Sequence, residues 1–505
     1  MSDFTQLVDL AFERLGGAVL TANDDFFAPK ENLLKDAKPI FIEDKYTDRG
    51  KWMDGWETRR RRTPGHDWCI IRLGLLGIIR GVIVDTSFFR GNFPSHCSID
   101  ACAASYSLSP EELQSPGITW RELLPKSELR GDAQNPFAIA DPYRCTHLRF
   151  NIFPDGGVAR LRVHGEVLPD WRQILAANSE INLSAIEHGG RALTCSDMFY
   201  SAPQNLLMPY AAANMGDGWE TKRRRGPGHD WTILKLGVAG EINRIELDTA
   251  HFKGNYPESC SLEACAVSND ASPDSLGSSA WHEILPRTQL CPDRLHLFEK
   301  ELRHSPAATH IRFNIFPDGG VSRLRIFGQP TKDGRSSEAL RFLNSLDPAA
   351  ARAELLNCCG SSAWADAISK GAPFASSHHI IERAEAAFAS LKKEDWLEAF
   401  RHHPRLGEKE SSAETSNQAK SISEQEQSGI AGAQAGVMAE LAAANRAYEE
   451  RFGHIFIVCA SGKSSAEVLS MLRQRMSSNQ ETELRVAAEE QRRITRLRLE
   501  KLLNL

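Results

Sequence analysis

Residues 54–68 read DGWETRRRRTPGHDW and residues 217–231 read DGWETKRRRGPGHDW, so the first two thirds of the chain carry one pattern twice. The offset is 163 residues and holds from Asp54/Asp217 through Asp85/Asp248, Asn92/Asn255 and Arg149/Arg312 to Arg160/Arg323. A unit of about 160 residues is the size of a domain, which makes this a duplicated domain and not a solenoid of small repeats. The lead-in recurs too, Asp25-Phe-Phe with Asn32-Leu-Leu against Asp197-Met-Phe with Asn205-Leu-Leu, although copy one has ten extra residues before its motif.

Within each copy apolar residues take every second place, as in RIELD (244–248) and HLRFNI (147–152). That is the period of a strand with one buried face. Separators rich in Gly, Pro, Asn and Asp, such as GNFP (91–94) and FPDGG (153–157), divide short runs and point to an antiparallel β-sandwich in each copy. Opposite Leu148, Phe150 and Ile152 the same strand carries Arg149 and Asn151, matched by Arg312 and Asn314. Arg160 and Arg162 repeat the arrangement at Arg323 and Arg325. For any one of these arginines the simpler reading is a solvated face laced with ion pairs.

The motif is harder to explain as surface alone. Asp54, Glu57, Arg59, His66 and Asp67, with Asp217, Glu220, His229 and Asp230 in copy two, gather acids, a guanidinium and an imidazole around a Pro-Gly turn. Loops of that make-up on a rigid sandwich are where chemistry is usually placed. A nucleic-acid patch built on the arginines is disfavoured by the formal charge of −6, and a neighbouring His-Asp pair falls short of the three or four converging ligands of a metal site. The amino terminus, with acids among its first residues, does not read as an export signal. The longest apolar run, residues 73–79, is far short of the roughly 20 residues that cross a bilayer. Eleven cysteines, an odd number with no C-x-x-C pair, suit reduced thiols in a cytoplasm better than a disulfide framework, and the final LLNL is not a peroxisomal address.

DGWETRRRR-x-PGHDW, followed by DTSFFRGNFP (85–94) or DTAHFKGNYP (248–257) and then RFNIFPDGG (149–157 and 312–320), resembles the allantoicase family over residues 10–330. The resemblance implies two jelly-roll-like (galactose-binding-like) β-sandwich domains and hydrolysis of allantoate to ureidoglycolate and urea. Allantoate is a carboxylate bearing two ureido groups. A forked cation suits its carboxylate, acids suit its N–H donors, and a proton must reach the departing nitrogen, for which His66 or His229 is the candidate. The site candidates are therefore Asp54, Glu57, Arg59, His66, Asp67 and Arg149, and in copy two Asp217, Glu220, His229, Asp230 and Arg312. Either copy, or their junction, qualifies, and a divalent metal is left open.

Past residue 337 alternation gives way to apolar residues three and four apart, in 380–400, 432–452 and 483–503, the period of an α-helical bundle. Gly453 marks a helix stop, and residues 408–420 read as a loop. A lone His after a helix, such as His403, is ordinarily structural. CCGSSAWADAI (358–368), DWLEAFRHHPRLGE (395–408), SISEQEQSGI (421–430) and FIVCASGKSSAEVL (456–469), however, resemble the OHCU decarboxylase family over residues 340–503. That resemblance implies conversion of 2-oxo-4-hydroxy-4-carboxy-5-ureidoimidazoline (OHCU) to S-allantoin without a cofactor. It makes His403 and Glu426 the catalytic pair and sets Pro404, Ser423, Gln427, Ile457, Gly462 and Arg498 around the substrate. His403 tuned by Glu426 is then expected to manage one proton near neutral pH.

The expected architecture is thus a sandwich over residues 1–170, a second over 171–330, a linker at 331–337 and an all-α domain over 338–505. The expected protein is a cytoplasmic homo-oligomer acting on allantoate and OHCU, with no nucleic-acid or membrane partner. Two other readings are a sandwich module that binds a sugar or anion beside a decarboxylase, and an enzyme acting on ureidoglycolate.

Overall fold

The computed structural model describes residues 4–177, 180–267, 276, 280–304, 306–403 and 435–505, which fall into two compact units divided at Gly334/Arg335. The first unit holds both sandwiches. In copy one the main strands are Val8–Asp9 (β1), Ala18–Ala22 (β2), Asp67–Asp85 (β3), His96–Cys102 (β4), Arg121–Glu128 (β5), Gln134–Ala138 (β6), Arg144–Phe153 (β7) and Arg160–Val167 (β8). Their order is β1-β8-β3-β7-β4-β5, with β2 and β6 also on β3, and the pairings are antiparallel.

Copy two repeats this with Ile181–Asn182 (β9), Arg191–Cys195 (β10), Asp230–Asp248 (β11), Ser259–Cys265 (β12), His282–Gln289 (β13), Leu295–Phe298 (β14), Ala308–Phe316 (β15) and Arg323–Pro330 (β16). The order β9-β16-β11-β15-β12-β13 is the same, with β10 and β14 on β11. β3 pairs with β2 and β7 through its first half and with β6 and β8 through its second, so this one strand serves both layers of the sandwich.

The alternation does what the sequence implies. Leu148, Phe150 and Ile152 are fully buried, and so are Ile311, Phe313 and Ile315. Trp56 of the motif lies against Phe150 and Trp219 against Phe313, with both indoles inaccessible to solvent. Each indole Nε1 donates to a lead-in carbonyl, Asp24 or Asp197, at 2.8 and 2.9 Å. Burial of an indole with its N–H satisfied is worth several kcal/mol, about 3–5 when truncated to Ala. This fixes where each motif starts.

The second unit is helical: Lys332–Asn344 (α1), Pro348–Cys359 (α2), Ser362–Ser369 (α3), Ser377–Ala389 (α4), Lys393–Arg401 (α5), Ala435–Phe452 (α6), Ser465–Arg475 (α7) and Gln480–Leu502 (α8). Side chains of Asp347, Ser361, Ser376, Ser464 and Asn479 cap their helices. Gly453, at φ +78°, takes the left-handed turn that ends α6. Two expectations need correcting, and a third is not tested. Residues 331–337 are no loose linker, because α1 begins at Lys332. Residues 380–400 form two helices, broken between Ala389 and Lys393. The expected loop at 408–420 lies outside the described residues.

Candidate active sites

The structure divides the repeated motif between two places. At its start, Asp54 Oδ2 accepts from Arg160 Nη2 at 2.7 Å and from the Ile40 amide at 3.1 Å. Arg160 also donates to the carbonyls of Ala37, Asp54 and Ala159, with both side chains almost wholly buried. Arg59 pairs with Asp24, and Asp67 takes donors from Arg61 and Asn23 at 2.7 and 2.9 Å. In copy two Asp230 is held by Arg224 and Ser196. Asp54, Arg59, Asp67 and Asp230 thus each have an ion-pair partner that helps to shape the loop. Glu57 and Glu220 accept from Asn92 and Asn255. Burial raises the Glu57 carboxyl above its ordinary pKa, only partly offset by Asn92.

Asp217 has a different partner from Asp54. Arg14, from the first sandwich, grips it through two bonds of 2.6 and 2.8 Å and lies over the Tyr210 ring at 4.1 Å. This hydrogen-bonded pair, with the nearby positive charge, holds the Asp217 carboxyl down to about 2. Through Arg14, Asp217 ties the two copies together.

At the other end of the motif the histidines meet the outward face of the central strands. His66 packs on Phe153 and His229 on Phe316, each at 4.6 Å between ring centroids. β15 pairs with β11 and β12 so that Arg312 stands between Ile233 and Glu263, and Asn314 between Trp231 and Ser261. Asn314 Nδ2 donates to Ser261 and to Glu263, both at 3.2 Å, and its Oδ1 lies 3.3 Å from His229 Nε2. Arg312 stacks over Trp281 at 4.5 Å and reaches Glu263 at 3.4 Å. His229, Ser261, Glu263, Arg312, Asn314 and Glu283 line a cavity of about 610 Å³.

Copy one keeps the layout with shorter contacts between its arginine, asparagine and acid. Arg149 is held by Asp100 at 2.9 and 3.0 Å, and Asn151 bonds Ser98 and Asp100. Asn151 Oδ1 has no partner among the described residues, so the link to the histidine seen in copy two is missing. Sequence reasoning passed over Asp100, Glu263, Glu283 and Trp281. A signal existed for the first pair, an acid retained at the same offset in SIDAC (98–102) and SLEAC (261–265).

In the helical unit His403 follows the end of α5, its amide bonded to the Phe400 carbonyl at 3.1 Å. The residue is half-buried overall, but its Nε2 is shut off from solvent and has no partner among the described residues. Desolvation, reinforced by the positive charge of Arg498, pushes its pKa down to about 3 against a smaller opposing pull from Gln491. The imidazole is thus neutral at physiological pH, well below the near-neutral titration expected. Gln491 and Arg498 sit two turns apart on one face of α8 and bond the carbonyls of Cys359 and Asn357 at the end of α2. The Ile457 carbonyl takes Arg475 at 2.8 Å, the Cys459 amide donates to Glu490 at 2.8 Å, and Gly462 turns at φ +75°. Pro404, Ser423, Glu426 and Gln427 lie outside the described residues. Among the described residues no group of three or more His, Cys, Asp and Glu side chains converges as a metal site would, and all eleven cysteines are free thiols.

The chain therefore joins a tandem-sandwich hydrolase to a helical lyase. The allantoicase repeat model matches residues 8–168 and 181–331, and the OHCU decarboxylase model matches residues 344–500. Probable allantoicases from Photobacterium profundum and Pseudomonas paraeruginosa are 47% and 49% identical, each match covering 65% of this chain and 97% of the relative. A crystal structure of allantoicase from Saccharomyces cerevisiae aligns with a TM-score of 0.54 at 33% identity, over 65% of this chain and 96% of the yeast one. The chain belongs to the allantoicase family and carries an OHCU decarboxylase domain after its two repeats.

Proposed function

We propose that this bifunctional enzyme of purine catabolism releases urea from allantoate in the outer-face cavity of the second sandwich. The observation that carries this reading is the convergence of Arg312, Asn314, Glu263 and His229 on one cavity. Arg312 supplies a planar fork for the substrate carboxylate, and Glu263 and Glu283 accept ureido N–H groups. Because the Asn314 amide nitrogen already donates to Ser261 and Glu263, its oxygen accepts from His229 Nε2–H. That leaves His229 Nδ1 as the proton acceptor. In the net reaction one C–N bond at the central carbon breaks, water oxygen joins that carbon, and water's proton passes through His229 to the departing urea nitrogen.

Replacing His229 with Gln is expected to cut the rate of urea release by about 10²-fold or more, the usual worth of a general acid–base. Arg312→Met is expected to raise KM for allantoate. His66→Gln and Arg149→Met should stay near the parent. Loss of activity in the copy-one variants alone would move the working site to the first sandwich.

For the decarboxylase we take His403 and Arg498 as its described core, with Glu426, Pro404, Ser423 and Gln427 assigned by family resemblance alone. The substrate holds its own electron sink, a C=N bond beside the departing carboxylate, so the protein has to orient it and move one proton. A neutral, enclosed His403 next to a guanidinium does both. His403→Ala should abolish the excess of S-allantoin seen by circular dichroism over the racemic background; an undiminished signal removes His403 from the mechanism. A cytoplasmic location accords with the free thiols.

A further inference from the structure

Between α6 and α7 the chain runs buried from Phe456 to Ala460 without helix or strand. Backbone N–H and C=O groups shut off from water need partners, and the described part of this unit holds no strand to pair with. Side chains from three helices serve instead. Asn445 of α6 accepts from the Phe456 amide at 3.1 Å, Arg475 of α7 donates to the Ile457 carbonyl at 2.8 Å, and Glu490 of α8 accepts from the Cys459 amide at 2.8 Å.

Arg475 is itself held. Its Nε and Nη2 meet Glu483 Oε1 at 2.7 and 2.5 Å, and the same oxygen accepts from the Tyr448 hydroxyl. Glu483 and Tyr448 are inaccessible to solvent and Arg475 is 8% exposed. Taking two charges out of water costs free energy that their attraction repays only in part, so a buried ion pair is poor evidence of stabilisation. What this one fixes is a direction. The guanidinium lies 4.6 Å over the Phe456 ring, Tyr448 meets the same ring edge-on at 5.2 Å, and the free arm of the fork ends on the Ile457 carbonyl.

The segment in turn carries the end of α5. Ile457 and Cys459 share one apolar cluster with Phe400, and the His454 ring packs on Phe400 at 5.2 Å. Phe400 is the residue whose carbonyl takes the His403 amide. A shift of Ile457 is thus a shift of the turn that presents His403.

We propose that Arg475, oriented by Glu483 and Tyr448, is a positioning residue for the decarboxylase: through the Ile457 carbonyl it holds the 456–460 segment against Phe400 and so fixes where the His403 imidazole stands. The proposal rests on the reading of His403 as the group that moves the proton. Misplacing a reacting group by about 1 Å can cost about 10²-fold in rate.

The test replaces the polar trio by apolar residues in the full chain, Arg475→Met/Glu483→Leu/Tyr448→Phe. Exchanging a whole buried ion pair for apolar groups of similar volume often leaves a fold as stable as before, so a pair that serves the fold alone would leave turnover unchanged. The expected result is a retained circular dichroism spectrum, kcat for S-allantoin formation lowered about tenfold or more with KM within about threefold, and faster amide hydrogen exchange across 456–460. Parent kcat in the folded variant would overturn the proposal, and so would a loss confined to KM or a lowered kcat with exchange across 456–460 unchanged. If the triple variant fails to fold, Glu483→Gln decides by the same three readouts, because it keeps the shape of the side chain and removes the charge that orients Arg475. His403→Ala separates this proposal from the reading beneath it. A His403→Ala chain that forms S-allantoin at the parent rate removes His403 and the proposal together; with His403→Ala inactive, the Arg475 result alone decides.

Discussion

Asp54 and Asp217 occupy one position in the repeat and act differently, which the sequence had no means of showing. Burial would raise Asp54, but hydrogen bonding and charge from Arg160 outweigh it, so the carboxyl ends below its ordinary pKa. Asp217 is instead claimed by Arg14, 203 residues away, and Arg323 Nη2, the counterpart of the Arg160 nitrogen that grips Asp54, is left buried without a partner among the described residues. The Asp217 carboxyl is depressed from 3.8 to about 2. A depressed carboxyl stabilises the fold fully above its unfolded pKa and loses that contribution as pH falls through the folded one. Arg14→Met should therefore lower the urea midpoint of the sandwich unit at pH 6, and the gap to the parent should shrink between about pH 4 and pH 2. A gap that stays constant across that window would show that Arg14 acts through packing on Tyr210 alone. The residue types of the candidate site were legible in the sequence, because a ureide carboxylate calls for Arg, acids and an imidazole. Their grouping was not: Asp54 and His66 are twelve places apart in one motif and serve different ends of the loop.

Among the elements, strands with one wet face announced themselves, as in β7 and β15. β3 did not, and β11 did so only in its last residues, RIELD (244–248): each runs 19 residues and is buried on both faces over much of its first half, which erases the alternation there. The helices of the second unit were readable by period but not by ends. The break after Ala389 carries neither Gly nor Pro, and α5 restarts with Lys392 bonded through its amide to Asp395. Turn glycines were readable as turns, and the structure shows what they protect. Gly319, at φ +135°, donates its amide to Thr221 Oγ1 and accepts from the Thr221 amide, joining the motif to the end of β15. A Cβ there would stand 2.7 Å from the Asn255 carbonyl oxygen. Gly319→Ala combines a strained backbone with that clash and should cost about 1–3 kcal/mol, read as a lower thermal midpoint. Because Asn255 is the partner of Glu220, the same variant should disturb that pair as well.

At the scale of the whole molecule, two compact units carry reactions that do not follow one another. Decarboxylation yields allantoin, whereas urea release starts from allantoate, and ring opening must intervene. No product of one site is the substrate of the other, so the fusion offers nothing to channel. Each unit also holds its own core: one cluster runs from Val8 to Ile326 through both sandwiches, and others close within the helices around Trp364, Tyr448 and Phe400. The catalytic groups proposed for each reaction likewise belong to one unit, Arg312 and His229 to the first, His403 and Arg498 to the second. The two activities should then be separable by single substitutions in the full chain. His403→Ala is expected to leave kcat and KM for allantoate within about twofold of the parent, and Arg312→Met to leave the rate of S-allantoin formation equally unchanged. Loss of urea release in His403→Ala, with the fold retained by circular dichroism, would mean that the helical unit contributes to the hydrolase beyond being attached to it.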